Sequence, residues 1–67
     1  MIAGLDYNPT THTLEVEFRT GRVYHYFGVP KAEYEALLNA PSLGRYFNRE
    51  IRNRYRTREI VRHKRSA

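Results

Sequence analysis

The sequence predicts an α+β domain in which a three-stranded antiparallel sheet is followed by two helices packed on one of its faces. Apolar and polar residues alternate on both sides of a turn at Gly21, as in a half-buried β-hairpin. After Pro30, large apolar residues recur at helical spacing in two successive segments. The chain has 67 residues, which is enough for one domain and no more.

The middle strand has the most regular pattern of the three. Leu14, Val16 and Phe18 would lie on one face, with Glu15 and Glu17 on the other. A turn at residues 8–11 precedes it, and β-forming residues follow Gly21. The predicted strands cover residues 3–7, 13–18 and 22–27.

Two registers are open for the hairpin at Gly21. A two-residue loop would place Tyr24 and Tyr26 beside the glutamates. A three-residue loop with a left-handed glycine would pair Phe18 with Arg22 and turn both tyrosines towards the core. We favour the three-residue loop, because a domain this small needs every large side chain in its core.

The first helix is predicted from Pro30 to Asn39, because proline suits a first helical turn. Ser42 is a candidate N-cap for a second helix that ends near Asn53. The apolar face of this second helix would carry Leu43, Tyr46, Phe47 and Ile51. After it, Tyr55 and the pair Ile60-Val61 could pack back on the domain or extend the sheet.

Positive charge is concentrated in the C-terminal third of the chain. Residues 1–44 carry three basic and five acidic side chains, whereas residues 45–67 carry nine basic and two acidic ones. Such asymmetry favours a polyanionic partner. We expect residues 1–61 to form the domain and residues 62–67 to form a flexible basic tail.

Arginine accounts for ten of the twelve basic residues, and it binds phosphate better than lysine does because it forms paired hydrogen bonds. Arg45, Arg49, Arg52 and Arg56 recur at steps of four, three and four, which would line one helix face. Asn48 lies beside that face and could bind a phosphate or cap a turn. The predicted nucleic-acid-binding residues are Arg45, Arg49, Arg52, Arg54, Arg56, Arg58, Arg62, Lys64 and Arg65.

Tyr24 and Tyr26 are candidates for stacking against bases, as on sheet-based RNA-binding domains. The favoured register instead makes them core residues whose hydroxyls reach the rim. We expect nucleic acid as the partner, with RNA, including tRNA, preferred. A protein-interaction module with no nucleic-acid ligand is the alternative, and Val23 and Phe27 are its candidate contacts on the face away from the helices.

An ordered series of motifs resembles the KTSC domain, a short module found at the C-terminal end of some lysyl-tRNA synthetases and as separate small bacterial proteins. The resemblance covers about residues 2–60. Its attachment to a synthetase implies RNA binding by analogy, while the family's function is unassigned. The motifs are Leu5-Asp6-Tyr7, Leu14-Glu15-Val16-Glu17-Phe18, Tyr24-His25-Tyr26, Phe27-Gly28-Val29-Pro30, Gly44-Arg45-Tyr46-Phe47-Asn48, Ile51-Arg52 and Tyr55.

Catalysis and metal binding are not indicated. The chain has no cysteine and one aspartate, its three histidines lack ligand spacing, and there is no glycine-rich phosphate loop. We therefore expect no enzyme activity, no cofactor and no metal. Signal-peptide and membrane-spanning patterns are also lacking, which together with the absence of cysteine predicts a cytoplasmic protein that does not bind membranes.

Overall fold

The computed structural model describes residues 1–61, and they form an α+β domain, as predicted. A four-stranded antiparallel sheet has the order β1-β2-β3-β4. Two helices lie between β3 and β4 in the chain. The elements are β1 (Ile2–Asn8), β2 (Thr13–Phe18), β3 (Val23–Phe27), α1 (Lys31–Asn39), α2 (Leu43–Tyr46), a π-helical turn (Phe47–Ile51) that continues α2, and β4 (Arg56–Ile60).

The hairpin between β2 and β3 has the three-residue loop. Phe18 donates its amide to the carbonyl of Arg22 at 2.9 Å, and Gly21 has a φ of 94°. A left-handed glycine at this position forms a bulge that closes such loops. Tyr24 therefore lies opposite Val16, and His25 lies opposite Glu15. The predicted register is confirmed.

The prediction of three strands was wrong, because the segment after the second helix forms β4. This strand pairs antiparallel with β3, so that Arg58 lies opposite His25 and Ile60 opposite Val23. Pairing satisfies the backbone groups that β3 would otherwise expose at an open edge. The predicted tail, residues 62–67, lies outside the described residues.

The core lies between the sheet and the helices. Leu14 and Val16 of β2 have no exposed surface, and they pack in one cluster with Leu37 of α1 and Phe47 and Ile51 of the π-helical turn. Helix α1 also packs against β1, where the rings of Tyr34 and Tyr7 stack with their centroids 4.7 Å apart. One face of the sheet is thus covered by both helices, as predicted.

The second helix is shorter than predicted, and it changes from α-helical to π-helical geometry after Tyr46. Its N-cap is Ser42, whose hydroxyl accepts the amide of Arg45 at 3.4 Å. After Tyr46 the backbone widens, and Arg52 donates its amide to the carbonyl of Phe47, five residues earlier, at 2.9 Å. Helical structure ends at Ile51 instead of near Asn53.

A carboxylate joins the two helices to the segment that leads into β4. Glu33 of α1 accepts a hydrogen bond from the hydroxyl of Tyr46 in α2 through one oxygen. Its other oxygen accepts from the hydroxyl of Tyr55 at 3.2 Å. The chain therefore returns to the sheet from a fixed point, one residue before β4 begins. None of the helices within residues 1–61 has the length and apolar character needed to cross a bilayer.

Candidate nucleic-acid interface

A groove of about 870 Å³ opens between the second helix and strands β3 and β4 of the sheet. Tyr24 of β3 and Thr57 of β4 form part of its base, because both side chains lie on the helix-facing side of the sheet. Arg45 and Arg52 lie on the opposite wall, before and after the widened turn. The fourth strand therefore completes the groove as well as the sheet.

The groove is basic at its rim and aromatic at its base. Arg22, Arg45 and Arg52 line it, and no aspartate or glutamate does so within residues 1–61. The nearest pairing carboxylate is that of Glu59, whose Oε2 is 4.0 Å from Nε of Arg22. A concave surface with these charges favours an anionic ligand. The aromatic lining residues are Phe18, Tyr24, Tyr26 and Phe47.

The predicted arginine stripe does not exist as one continuous face. Arg45 and Arg52 line the groove, whereas Arg49 and Arg54 both bind Glu50, at 3.0 Å and 2.8 Å. These two hydrogen-bonded guanidinium groups hold the pKa of the Glu50 carboxyl below its usual value, with the Arg49 bond as the larger cause. Half of the arginines between residues 45 and 54 are thus paired with a neighbouring carboxylate.

Arg56 and Arg58 belong to β4 and not to a helix, which corrects the predicted stripe at its C-terminal end. They lie opposite Phe27 and His25, so they share the sheet face that the helices do not cover. On the same face, Nε2 of His25 is 2.9 Å from Oε1 of Glu15. Arginines consequently lie on both faces of the sheet. Arg62, Lys64 and Arg65 lie beyond the described residues.

The two candidate stacking tyrosines differ in accessibility. Tyr26 is 4% exposed and packs edge-to-face on Phe47 at 5.3 Å. Burial raises its pKa. Tyr24 is half-buried, and its ring meets Phe18 edge-to-face at 5.6 Å. Tyr24 is therefore the candidate that a ligand in the groove can reach.

Several lining residues were absent from the sequence-based candidates. Arg22 lies at the hairpin turn, and its pKa is raised first by a hydrogen bond with Tyr24 and then by the Glu59 carboxylate. Asn53, which follows the second helix, also lines the groove. Thr57 lines it too, and its hydroxyl donates a hydrogen bond to the carbonyl of His25 at 3.0 Å. Arg22 could have been found from the sequence, because it lies two residues before Tyr24 and alternation along a strand places both side chains on one face. Thr57 could be placed only once β4 was known.

Asn48 lies within the π-helical turn, and it lines the groove. Its Oδ1 accepts a hydrogen bond from Nη1 of Arg52, one helical turn later, at 3.4 Å. A guanidinium and an amide thus lie side by side at the rim. Residues 1–61 contain no group of three or more histidine, aspartate or glutamate side chains arranged to hold a metal ion.

Comparison with known proteins identifies the family. A family model described as the KTSC domain matches residues 1–55. A lysine–tRNA ligase from Nostoc sp. is 44% identical over 54 residues, which make up 81% of this chain and 10% of that enzyme. An uncharacterized protein from Stutzerimonas stutzeri is 49% identical over 47 residues, or 70% of this chain and 66% of the relative.

The crystal structure of a KTSC domain protein from Yersinia pestis has the same fold. It matches with a TM-score of 0.86 at 33% identity, covering 90% of this chain and 84% of that one. The chain spans about a tenth of the length of the lysine–tRNA ligases that it matches. On the family match and this shared structure, the chain belongs to the KTSC domain family.

Proposed function

We propose that this domain is a non-enzymatic, cytoplasmic nucleic-acid-binding module that holds RNA, including tRNA, chiefly through its phosphates. One observation carries the proposal. Within residues 1–61, Arg45, Arg52, Arg56 and Arg58 have no carboxylate within ion-pair distance, although Glu50 is paired with two arginines nearby. Exposed arginines without acidic partners favour an external polyanion.

The preference for RNA rests on arginine chemistry and on the relatives. A guanidinium group binds phosphate through two parallel hydrogen bonds and also stacks on bases. Three relatives that share 40–44% identity with this chain are named lysine–tRNA ligases, enzymes that act on an RNA. This association supports RNA over DNA by analogy.

The alternative, a protein-interaction module, depends on an apolar patch on the outer face of the sheet. Val23, one of its two candidate contacts, is only 6% exposed, and Ile60 of β4 lies opposite it. Phe27 is 38% exposed. A single aromatic side chain between Arg56 and His25 makes a small apolar patch, so the nucleic-acid proposal is the better supported of the two.

The test is a salt titration of binding to tRNA, single-stranded RNA and duplex DNA. Each phosphate contact on a single strand contributes about −0.7 to the slope of log affinity against log salt, so four to six contacts give roughly −3 to −4. Absence of binding to all three nucleic acids at low salt would refute the proposal.

A matched pair of variants locates the contacts. Arg45→Ala/Arg52→Ala removes two arginines that lack acidic partners, and we expect the slope to fall in magnitude by about 1 to 1.5. Arg49→Ala/Arg54→Ala removes the same number of charges from the same region. Because Glu50 already binds both of these side chains, the slope should change less. Circular dichroism confirms that both variants fold.

A further inference from the structure

We propose that the groove holds an unpaired nucleotide of a single RNA strand, with its base against Tyr24 and its phosphate on Arg45 and Arg52. This inference rests on the proposed function and deepens it, because it names the kind of strand and the position of one base. Phosphate binding alone would need only the arginines.

The aromatic base of the groove gives the first argument. Of the four aromatic side chains that line it, Tyr26 and Phe47 are almost fully buried, so the half-buried Tyr24 and Phe18 supply its accessible aromatic surface. The ring of Tyr24 is held by an edge-to-face contact with Phe18, with 5.6 Å between the ring centroids. A ring fixed in this way can contact a base without losing much conformational freedom on binding. Stacking on aromatic side chains is how proteins hold the bases of single strands.

The polar groups around Tyr24 give the second argument. Asn48 and Asn53 line the groove together with Arg52, so amide and guanidinium groups converge above the aromatic base. Amides can donate to and accept from the edges of bases, whereas guanidinium groups suit phosphates. The lining thus combines accessible aromatic surface with amide and guanidinium groups, which suits a ligand that carries both a base and a phosphate.

The size and shape of the groove give the third argument. Its volume of about 870 Å³ lies within the range of roughly 300–1,000 Å³ that is usual for ligand pockets. Bases in an A-form duplex are stacked and paired, and the deep major groove keeps side chains from their edges. A base can therefore enter this groove only from an unpaired strand.

The experiment compares three RNA-like probes of equal length with the full chain at one low salt concentration. The probes are a ten-residue oligoadenylate, an abasic strand with the same phosphates, and a ten-base-pair RNA duplex. We expect the oligoadenylate to bind roughly tenfold more tightly than the abasic strand, because one base stacks on Tyr24. The duplex keeps its bases paired, so any tighter binding that it shows over the abasic strand should follow from its higher charge density and disappear as salt rises.

Two variants of one residue isolate the ring. Tyr24→Leu should reduce the preference for the oligoadenylate over the abasic strand by roughly tenfold, because it removes the ring on which the base stacks. Tyr24→Phe keeps the ring and loses only the hydroxyl that bonds Arg22, so it should keep the wild-type preference for the oligoadenylate over the abasic strand. In case Tyr24→Leu fails to fold, NMR on the wild type gives an independent result. The amide of Tyr24 should shift more with the oligoadenylate than with the abasic strand, whereas the amides of Arg45 and Arg52 should shift with both.

Failure of the groove inference is distinguishable from failure of the proposed function. Equal affinities for the oligoadenylate and the abasic strand would overturn the groove inference, while steep salt dependence would still support the proposed function. A lack of binding to every probe would overturn both. Adenosine monophosphate that binds as tightly as the oligoadenylate would also overturn the inference, since the groove would then be a mononucleotide site.

Discussion

At the scale of single residues, the carboxylate of Glu33 holds three parts of the chain together. It accepts from Tyr46 and Tyr55 and so joins α1, α2 and the approach to β4. The hydrogen bond to Glu33, followed by burial, raises the pKa of Tyr46 to about 12. The protonated phenol is thus favoured in the folded domain relative to an unfolded chain, where tyrosine titrates near 10.

This difference predicts a loss of stability in alkali. The contribution of Tyr46 should be fully present below about pH 10 and disappear as the pH rises to about 12. Tyr46→Phe should lower the free energy of unfolding at pH 7 by about 1.5 kcal/mol and lose less stability above pH 10 than wild type. Urea denaturation at pH 7 and pH 11 measures both effects. Tyr34→Phe, which leaves the Glu33 contacts in place, is the control.

A pair of glycines gives a second prediction at this scale. Gly21 has a φ of 94° and no atom within 4 Å of the position that a Cβ would take, so Gly21→Ala should destabilise the domain by about 1–2 kcal/mol through backbone strain alone. Gly44 lies in α2, and an added Cβ would meet only the Met1 side chain, at 4.0 Å. Gly44→Ala should stabilise by about 0.5–1 kcal/mol. Thermal denaturation of the two variants should shift in opposite directions.

At the scale of elements, β4 is what sequence reasoning failed to place. The first three strands, the hairpin register and both helices followed from apolar spacing, from Gly21 and from Ser42. Arg56, Thr57, Arg58 and Glu59 show no apolar alternation, because this strand is stabilised by pairing with β3 and not by burying a face. Tyr55 and the pair Ile60-Val61 left a further strand open, but they did not distinguish it from a segment that packs back on the domain.

The candidate site was predictable in composition but not in arrangement. Arg45 and Arg52 were named and do line the groove, and Tyr24 was named as a base contact that the structure leaves half-buried. The separation of Arg56 from the helix was not foreseen, because it depends on where the widened turn ends. The pairing of Glu50 with two arginines was not foreseen either, because residue spacing alone does not determine which side chains form ion pairs.

Two truncations test the role of β4. A chain ending at Val61 keeps the strand, and we expect it to melt at the temperature of the full chain. A chain ending at Tyr55 loses the pairing with β3 and the contact of Ile60 with Val23, so it should melt at a lower temperature. Circular dichroism melts of the three chains check this. Equal melting temperatures would show that β4 contributes no stability.

At the scale of the whole molecule, charge is distributed unequally between the two ends of the chain. Residues 45–67 carry nine basic side chains against two acidic ones, and three of the nine are Arg62, Lys64 and Arg65. Long-range attraction of a polyanion depends on this sum, whereas the base contact that we propose depends on the groove.

Removal of residues 62–67 should weaken RNA binding without affecting the fold. With three fewer cations, the slope of log affinity against log salt should become less negative by up to about 2. The same chain ending at Val61 serves here, measured by fluorescence anisotropy at several salt concentrations. A slope that does not change would place all phosphate contacts within residues 1–61.

Sedimentation tests the protein-interaction alternative on the same scale. If Phe27 does not mediate self-association, wild type and Phe27→Ser should both sediment as monomers at high concentration. A wild type that associates while Phe27→Ser does not would favour the outer sheet face as a protein interface over the nucleic-acid proposal.

The open edge of β4 has a consequence for colloidal behaviour. Within the described residues this strand pairs only with β3, so its other edge offers unpaired amides and carbonyls to any similar strand. Arg56 and Arg58 lie along that strand, and their like charges repel a second copy that approaches in register. A bound polyanion would neutralise this repulsion. An excess of domain over RNA should therefore bring strand edges close together on one RNA, so turbidity should rise at substoichiometric RNA and clear when RNA is in excess.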